Sequence, residues 1–445
     1  MTNQQSVSYK LKMELVRQGY TLSSFSKLSG INRGVLSSTL NDPPTRSLSM
    51  NQINQMNQAL NFPVGWLYEE YAQELIADIE TVSWRKIKDL LTHCVQIKKM
   101  NLIQTVLDAL KDTATYMNYI FDLAEELIEQ ELIEQGEDTQ LSMFYQYILD
   151  HESNLHAERF AISQYRLFRI SLGLDVHKIL KWKIQFAPQR HALPFHLKLD
   201  ALAQLSNVAF AFKEWDELRQ YGEELVATTM MIYNSPPEYK YSCIKKAERS
   251  LLVYYGKGHI AQAAGWEYSG NYEEAQKMIS YYEDLSWFEF TDPTDKIQLE
   301  KFYIIAKCNR YNTELYLGNN SVLKSYIDYL EFFPEEQPAS IEVIIKTSIM
   351  YGWDIDDILE KYHDVIYPPD ISQYLQTTTY YSIFIELNRY TTIYHDLALY
   401  YFERKGSTEQ LEHVLSTLKS HIEKYDRIHT FDSTELFEKL YKFYF

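Results

Sequence analysis

TLSSFSKLSGINRGVLSSTLND, residues 21–42, spells two short helices joined by a glycine turn. Thr21 is a helix N-cap, because its hydroxyl can accept from an orphan backbone N–H. Leu22, Phe25 and Leu28 follow as an expected buried face, with the small Ser26 where a second helix crosses closely. Gly30 supplies the left-handed residue that stops the helix. Ile31 then plugs the core and Asn32 caps the next helix, which turns Val35, Leu36 and Thr39 or Leu40 inward. Arg33, Gly34, Ser37 and Ser38 are left facing out.

The pattern extends in both directions. An earlier helix runs from about Val7 to Gln18 and ends at Gly19; a later one uses Met50, Ile53, Met56 and Leu60. A fifth is expected to begin at Pro63, since proline suits a first helical position. Charge sets this head apart. The chain carries −18 over 445 residues, but residues 1–66 hold six cations (Lys10, Lys12, Arg17, Lys27, Arg33, Arg46) and two anions, a net +4 that leaves −22 for the remainder. A basic head on an acidic body is the asymmetry expected when only the head meets phosphate.

Residues 8–70 resemble the five-helix repressor-type helix-turn-helix domain. The likeness rests on the helix lengths, Ser26, the Gly30–Ile31 turn and the exit LNFP at 60–63. It implies that the helix from Asn32 enters the major groove. Lys12, Arg17, Lys27, Asn32, Arg33, Gly34, Ser37, Ser38 and Arg46 become the candidate contacts to base or phosphate. Leu22 departs from the family, which often places a backbone-gripping glutamine there, and this implies lower phosphate affinity.

The remainder, residues 71–445, reads as helical throughout. Glycine (14) and proline (12) are scarce, which disfavours the turn-rich architectures, and strand-like alternation is rare. Ile103, Val106, Leu107 and Leu110, and again Leu411, Val414, Leu415 and Leu418, mark helical faces. Turns recur as KEWDEL at 213, GNYEEA at 270, GNNSVL at 318 and GSTEQL at 406. AAGWEYSGNYEEAQKMISYYEDL, residues 263–285, resembles a tetratricopeptide repeat, although the turns are spaced 57, 48 and 88 residues apart, not 34. The expected fold is all-α: a helix-turn-helix domain over 1–70, then an α-solenoid of helix pairs whose concave face takes extended ligands.

Catalytic motifs are missing, and no enzyme, cofactor or metal site is expected. HESNLH (151–156) spaces its histidines by five, where a zinc helix needs four. YYGKGH (254–259) lacks the spacing and trailing hydroxyl of a phosphate loop. The acidic run at 123–138 reads as a solvated face. No signal-peptide pattern or run of about 18 apolar residues appears, and Cys94, Cys243 and Cys308 form no framework, so a cytoplasmic protein off the membrane is expected.

A repressor-type head before tetratricopeptide-like repeats resembles the RRNPP peptide-pheromone receptors, nearest to the arbitrium-type phage receptors. The resemblance implies a homodimeric transcription regulator that binds a double-stranded DNA operator and a short signalling peptide held through asparagines. Asn207 and Asn312 each lie six residues before a repeat turn, at matched heights on first helices. Asn309 and Arg310 neighbour the second, and Asn388 and Arg389 form a similar pair. Phe210, Tyr268 and Tyr311 are the expected groove wall, and the body's carboxylates favour a peptide with a basic residue. Solvated or turn-capping asparagines are the plainer alternative. Two rival functions remain open: a repeat adaptor for a protein partner, and a regulator of a response-regulator phosphate.

Overall fold

The computed structural model describes residues 6–40, 48–110, 116–129, 139–172, 176–290, 292–371, 373, 383–404 and 408–425. Among them the fold is all-helical, without strands. No described helix is long and apolar enough to cross a membrane. Two compact units divide the chain, Met1–Gly173 and Leu174–Phe445.

The first unit holds α1 (Val7–Arg17), α2 (Leu22–Ser29), α3 (Arg33–Thr39), α4 (Met50–Ala59), α5 (Tyr68–Ala77), α6 (Trp84–Gln96), α7 (Met100–Ala109), α8 (Tyr116–Glu129), α9 (Thr139–His151) and α10 (Glu158–Ser171). The start of α2 follows its sequence closely. Ser24 N–H donates to Thr21 Oγ1 at 3.1 Å while Thr21 N–H donates to Ser24 Oγ at 2.9 Å, a reciprocal cap. Gly30 ends α2 at φ +71°, and Asn32 Oδ1 then accepts from Gly34 N–H at 2.7 Å to open α3. Phe25, Ile31, Leu36, Thr39, Met50, Ile53, Met56 and Leu60 are buried. α4 packs on α6, and α5 on α6 and α7, so the head's helices share their unit with α6–α10.

Two local expectations are corrected. Leu28 is 50% exposed, and Ser29 takes the buried place, its hydroxyl donating to the Phe25 carbonyl. At about 100° per residue the i, i+3, i+7 positions share a face, and i+6 falls off its edge. The fifth helix begins at Tyr68, not Pro63. Asn61 and Gly65 both take positive φ, so the chain turns twice before the helix can start.

The second unit runs through α11 (Val176–Phe186), α12 (Phe195–Ala211), α13 (Trp215–Tyr233), α14 (Pro237–Lys246), α15 (Leu251–Tyr268), α16 (Tyr272–Ser280), α17 (Asp295–Tyr316), α18 (Leu323–Leu330), α19 (Gln337–Tyr351), α20 (Asp356–Lys361), α21 (His363–Ile366), α22 (Ile383–Glu403) and α23 (Thr408–Lys424). Packing is repeat-like: α12 on α13, α13 on α15, α15 on α16, α16 on α17, α17 on α19, α19 on α22 and α22 on α23. The turns at 213, 270 and 318 are one device. Each has a left-handed residue (Lys213 φ +57°, Gly270 +80°, Gly318 +86°) whose N–H bonds three residues back, while the next N–H reaches five back. This closes the orphan carbonyls of the ending helix. Lys98 makes the same turn in the first unit. The fourth sequence turn, at Gly406, lies outside the described residues.

α15, LLVYYGKGHIAQAAGWEY, is apolar or small on nearly every side, as a central helix must be. Gly258 lies so close to α13 that an added Cβ would stand 2.8 Å from the Gly222 carbonyl oxygen. Finally, α12 touches α22, so the unit's array returns upon itself and leaves space between its early and late helices.

Candidate functional site

On the head, the expected outward residues of α3 are outward. Arg33, Gly34 and Ser37 are exposed; Ser38 is half-buried, its hydroxyl donating to the Val35 carbonyl. Asn32 is exposed but committed to its cap. Lys12 and Lys27 are exposed, and with Arg33 they form no ion pair among the described residues. Arg17 differs. It pairs with Glu14 at 2.6 Å, and its hydrogen bond holds the Glu14 carboxyl below the usual range. Lys10 is likewise held within the head, 2.6 Å from Glu70 and over the Trp66 ring. Arg46 lies outside the described residues.

In the second unit the returning array forms a partly open cavity of about 370 Å³ between α12, α13, α15, α17 and α22. Of the six residues expected to hold a ligand, the cavity brings two together, Asn207 from α12 and Arg389 from α22, with Phe210 on the wall. Asn207 is half-buried and, among the described residues, its amide makes only a 3.5 Å contact with Gln204. Arg389 is buried and ion-paired to Glu342 at 3.1 Å and to Glu386.

The other four do not line it. Asn312, despite its matched offset, is buried in α17 with Oδ1 accepting from Tyr326 at 2.8 Å, because α18 covers this turn of α17. Asn309 donates to the Tyr282 hydroxyl at 2.8 Å, and Arg310 pairs with Glu283. Asn388 is half-buried. Tyr311 stacks on Tyr326, and Tyr268 packs edge-on behind Phe210 at 5.5 Å.

Sequence reading missed the cavity's polar residues: Lys257 of α15, Arg249 just before it, and Gln298 and Lys301 of α17. One signal lay in YYGKGH, whose glycines serve close packing. Gly258 admits α13, and a Cβ at Gly256 would collide with Phe302, another lining residue. Lys257, between them, is turned to the cavity. Enclosure strips it of water, and Arg249 adds like-charge repulsion, so its pKa falls to about 8, against a weak upward pull from Asp200.

Two of this unit's other buried titratable groups, His259 and Glu267, are strongly perturbed. His259 is 6% exposed between the rings of Tyr255 and Tyr281, with neither ring nitrogen hydrogen-bonded among the described residues. Burial lowers its pKa to about 4. Glu267 is raised by burial to about 8, with Lys346 pulling it down and Glu342 pushing it up. Among the described residues no group of three or more His, Cys, Asp or Glu side chains gathers to hold a metal ion. No family model matches the chain, and no curated protein or solved structure does either.

Proposed function

We propose that the chain is a cytoplasmic DNA-binding transcription regulator whose operator binding is controlled by a short peptide. The observation that carries it is α3: it buries Leu36 and Thr39 and offers Arg33, Gly34 and Ser37 to solvent, in a basic head on an acidic chain. A helix so mounted can lie in a major groove with its early residues against base edges. Exposed Lys27, on α2 packed against α3, and exposed Lys12, on α1, supply phosphate contacts. The partly open cavity supports the sensing half, since its volume falls in the usual range of ligand sites, roughly 300–1,000 Å³.

Two copies of the chain, joined through their helical repeats, place two heads on half-sites about one helical turn apart or a multiple of it. A peptide moves that equilibrium only by binding one shape more tightly than another. The experiment is selection from random duplexes with the full chain, followed by a salt titration. A recovered sequence whose log affinity falls with log salt at about −0.9 per phosphate contact supports the reading. Failure to retain any duplex at low salt refutes it and leaves a protein adaptor as the better description.

A further inference from the structure

The cavity's charge opposes that of the chain around it. Against a net −18, its lining among the described residues contains no carboxylate and four cations: Arg249, Lys257, Lys301 and Arg389. Arg389 is balanced by Glu342 and Glu386. Among the described residues, the side chains of Arg249 and Lys257 have neither an ion pair nor a hydrogen bond. Asp200 supplies an opposing charge near Lys257, but its oxygens accept from Tyr254 and from Glu248 N–H. Lys257, largely buried beside the like charge of the more exposed Arg249, is unfavourably placed until an anion joins the pair. Beside them stand two amides with little else to bond: Asn207, and Gln298, whose side chain makes no hydrogen bond among the described residues.

We propose that the cavity anchors its ligand by a carboxylate seated between Lys257 and Arg249, with Asn207 and Gln298 pairing the adjoining peptide group. The proposal rests on reading this cavity as the regulator's peptide site, and it names what that site grips. Amides suit the adjoining role because each offers a donor and an acceptor without the desolvation cost of a charge. The volume, at the low end for ligand sites, fits one end of a short peptide and not its whole length. Phe302, Ile305 and Val253 give the remaining wall an apolar surface for a side chain. The carboxylate comes from the peptide's C-terminus or from an Asp or Glu side chain. A basic peptide, suggested by the body's overall charge, meets no counter-charge among the described residues of this lining.

The experiment uses the full chain and two random hexapeptide pools, one with free C-termini and one amidated. Peptides retained after gel filtration are identified by mass spectrometry. The expected result is retention from the free-acid pool at least tenfold above the amidated pool, falling about tenfold in Lys257→Met and in Arg249→Gln. Arg249 is exposed, so its variant keeps the test intact if Lys257→Met unfolds. Retention from both pools limited to peptides containing Asp or Glu also supports the anchor and assigns it to a side chain. Equal retention from both pools, with no enrichment of acidic residues, overturns the carboxylate anchor and leaves the peptide sensor standing. Retention of no peptide from either pool overturns both.

Discussion

Replacing Gly258 with alanine sets two effects of known size against each other. Alanine is the better helix former by roughly 1 kcal/mol, and position 258 is interior to α15, so propensity alone predicts stabilisation. Packing opposes it. The new Cβ would stand 2.7 Å from Val226 Cγ2 and 2.8 Å from the Gly222 carbonyl oxygen. The valine methyl can rotate away, but the carbonyl is fixed in α13. Restoring ordinary contact at 3.4 Å moves the helices apart by about 0.6 Å, a gap that forfeits roughly a quarter to a half of each opposed atom pair's attraction. Overpacking of this kind costs roughly 1–3 kcal/mol. Because the obstacle is backbone and α13 packs along much of α15, the upper half of that range applies, and the net loss is about 1–2 kcal/mol. For a unit of this size that lowers Tm by roughly 3–6 °C. Calorimetric melting of the full chain measures it, with Gly270→Ala as comparison. That glycine has nothing within 4 Å of an added Cβ, and loses only through its φ of +80°. Gly258→Ala should also weaken cavity binding, since α13 and α15 are both cavity walls, and Gly270→Ala should not. A Gly258→Ala protein that melts at or above the parent refutes the argument.

His259 and Glu267 give opposite pH slopes. His259, lowered from 6.5 to about 4, leaves the unfolded chain binding more protons, so its stability contribution is complete above pH 6.5 and is lost as pH falls toward 4, about 3 kcal/mol in all. Urea titrations of His259→Phe between those pH values should show that loss removed; an unchanged slope means the histidine is not buried neutral. Glu267, raised from 4.5 to about 8, favours the protonated folded state, so stability falls as pH rises from 4.5 to 8, and Glu267→Gln should level that window in the same titration. On the head, Arg33→Ala should cost about 1–3 kcal/mol of operator affinity and relax one base position, whereas Lys12→Ala or Lys27→Ala should weaken all sequences alike and lower the salt slope. Gel shifts at several salt concentrations separate the two behaviours, and unaltered specificity in Arg33→Ala removes α3 from the groove. Thr21→Ala breaks the reciprocal cap of α2 and should cost about 1 kcal/mol by urea denaturation, with no effect counting against the cap.

What the chain's order of residues determined by itself is local. The caps at Thr21 and Asn32, the left-handed stops at Gly30, Gly270 and Gly318, and the buried faces of α3 and α4 depend on groups a few residues apart, whose preferences survive any tertiary surroundings. Helicity was legible for the same reason. Even the turn at Lys213 was found by its place in a repeated pattern, although lysine has no preference for positive φ. Where a side chain ends up was decided by neighbours far along the chain. Asn207 and Asn312 have the same offset from their turns, yet α18 covers one and the cavity admits the other. Arg17 looked free until Glu14 claimed it, an i,i+3 pair open to inspection, but Lys10 is held by Glu70, 60 residues away. The cationic cavity is the extreme case. Arg249, Lys257, Lys301 and Arg389 share no periodicity and no motif; they meet only because α12 returns to α22 and glycines at 222, 256 and 258 let the intervening helices approach. That convergence is a property of packing distance, which no local pattern encodes.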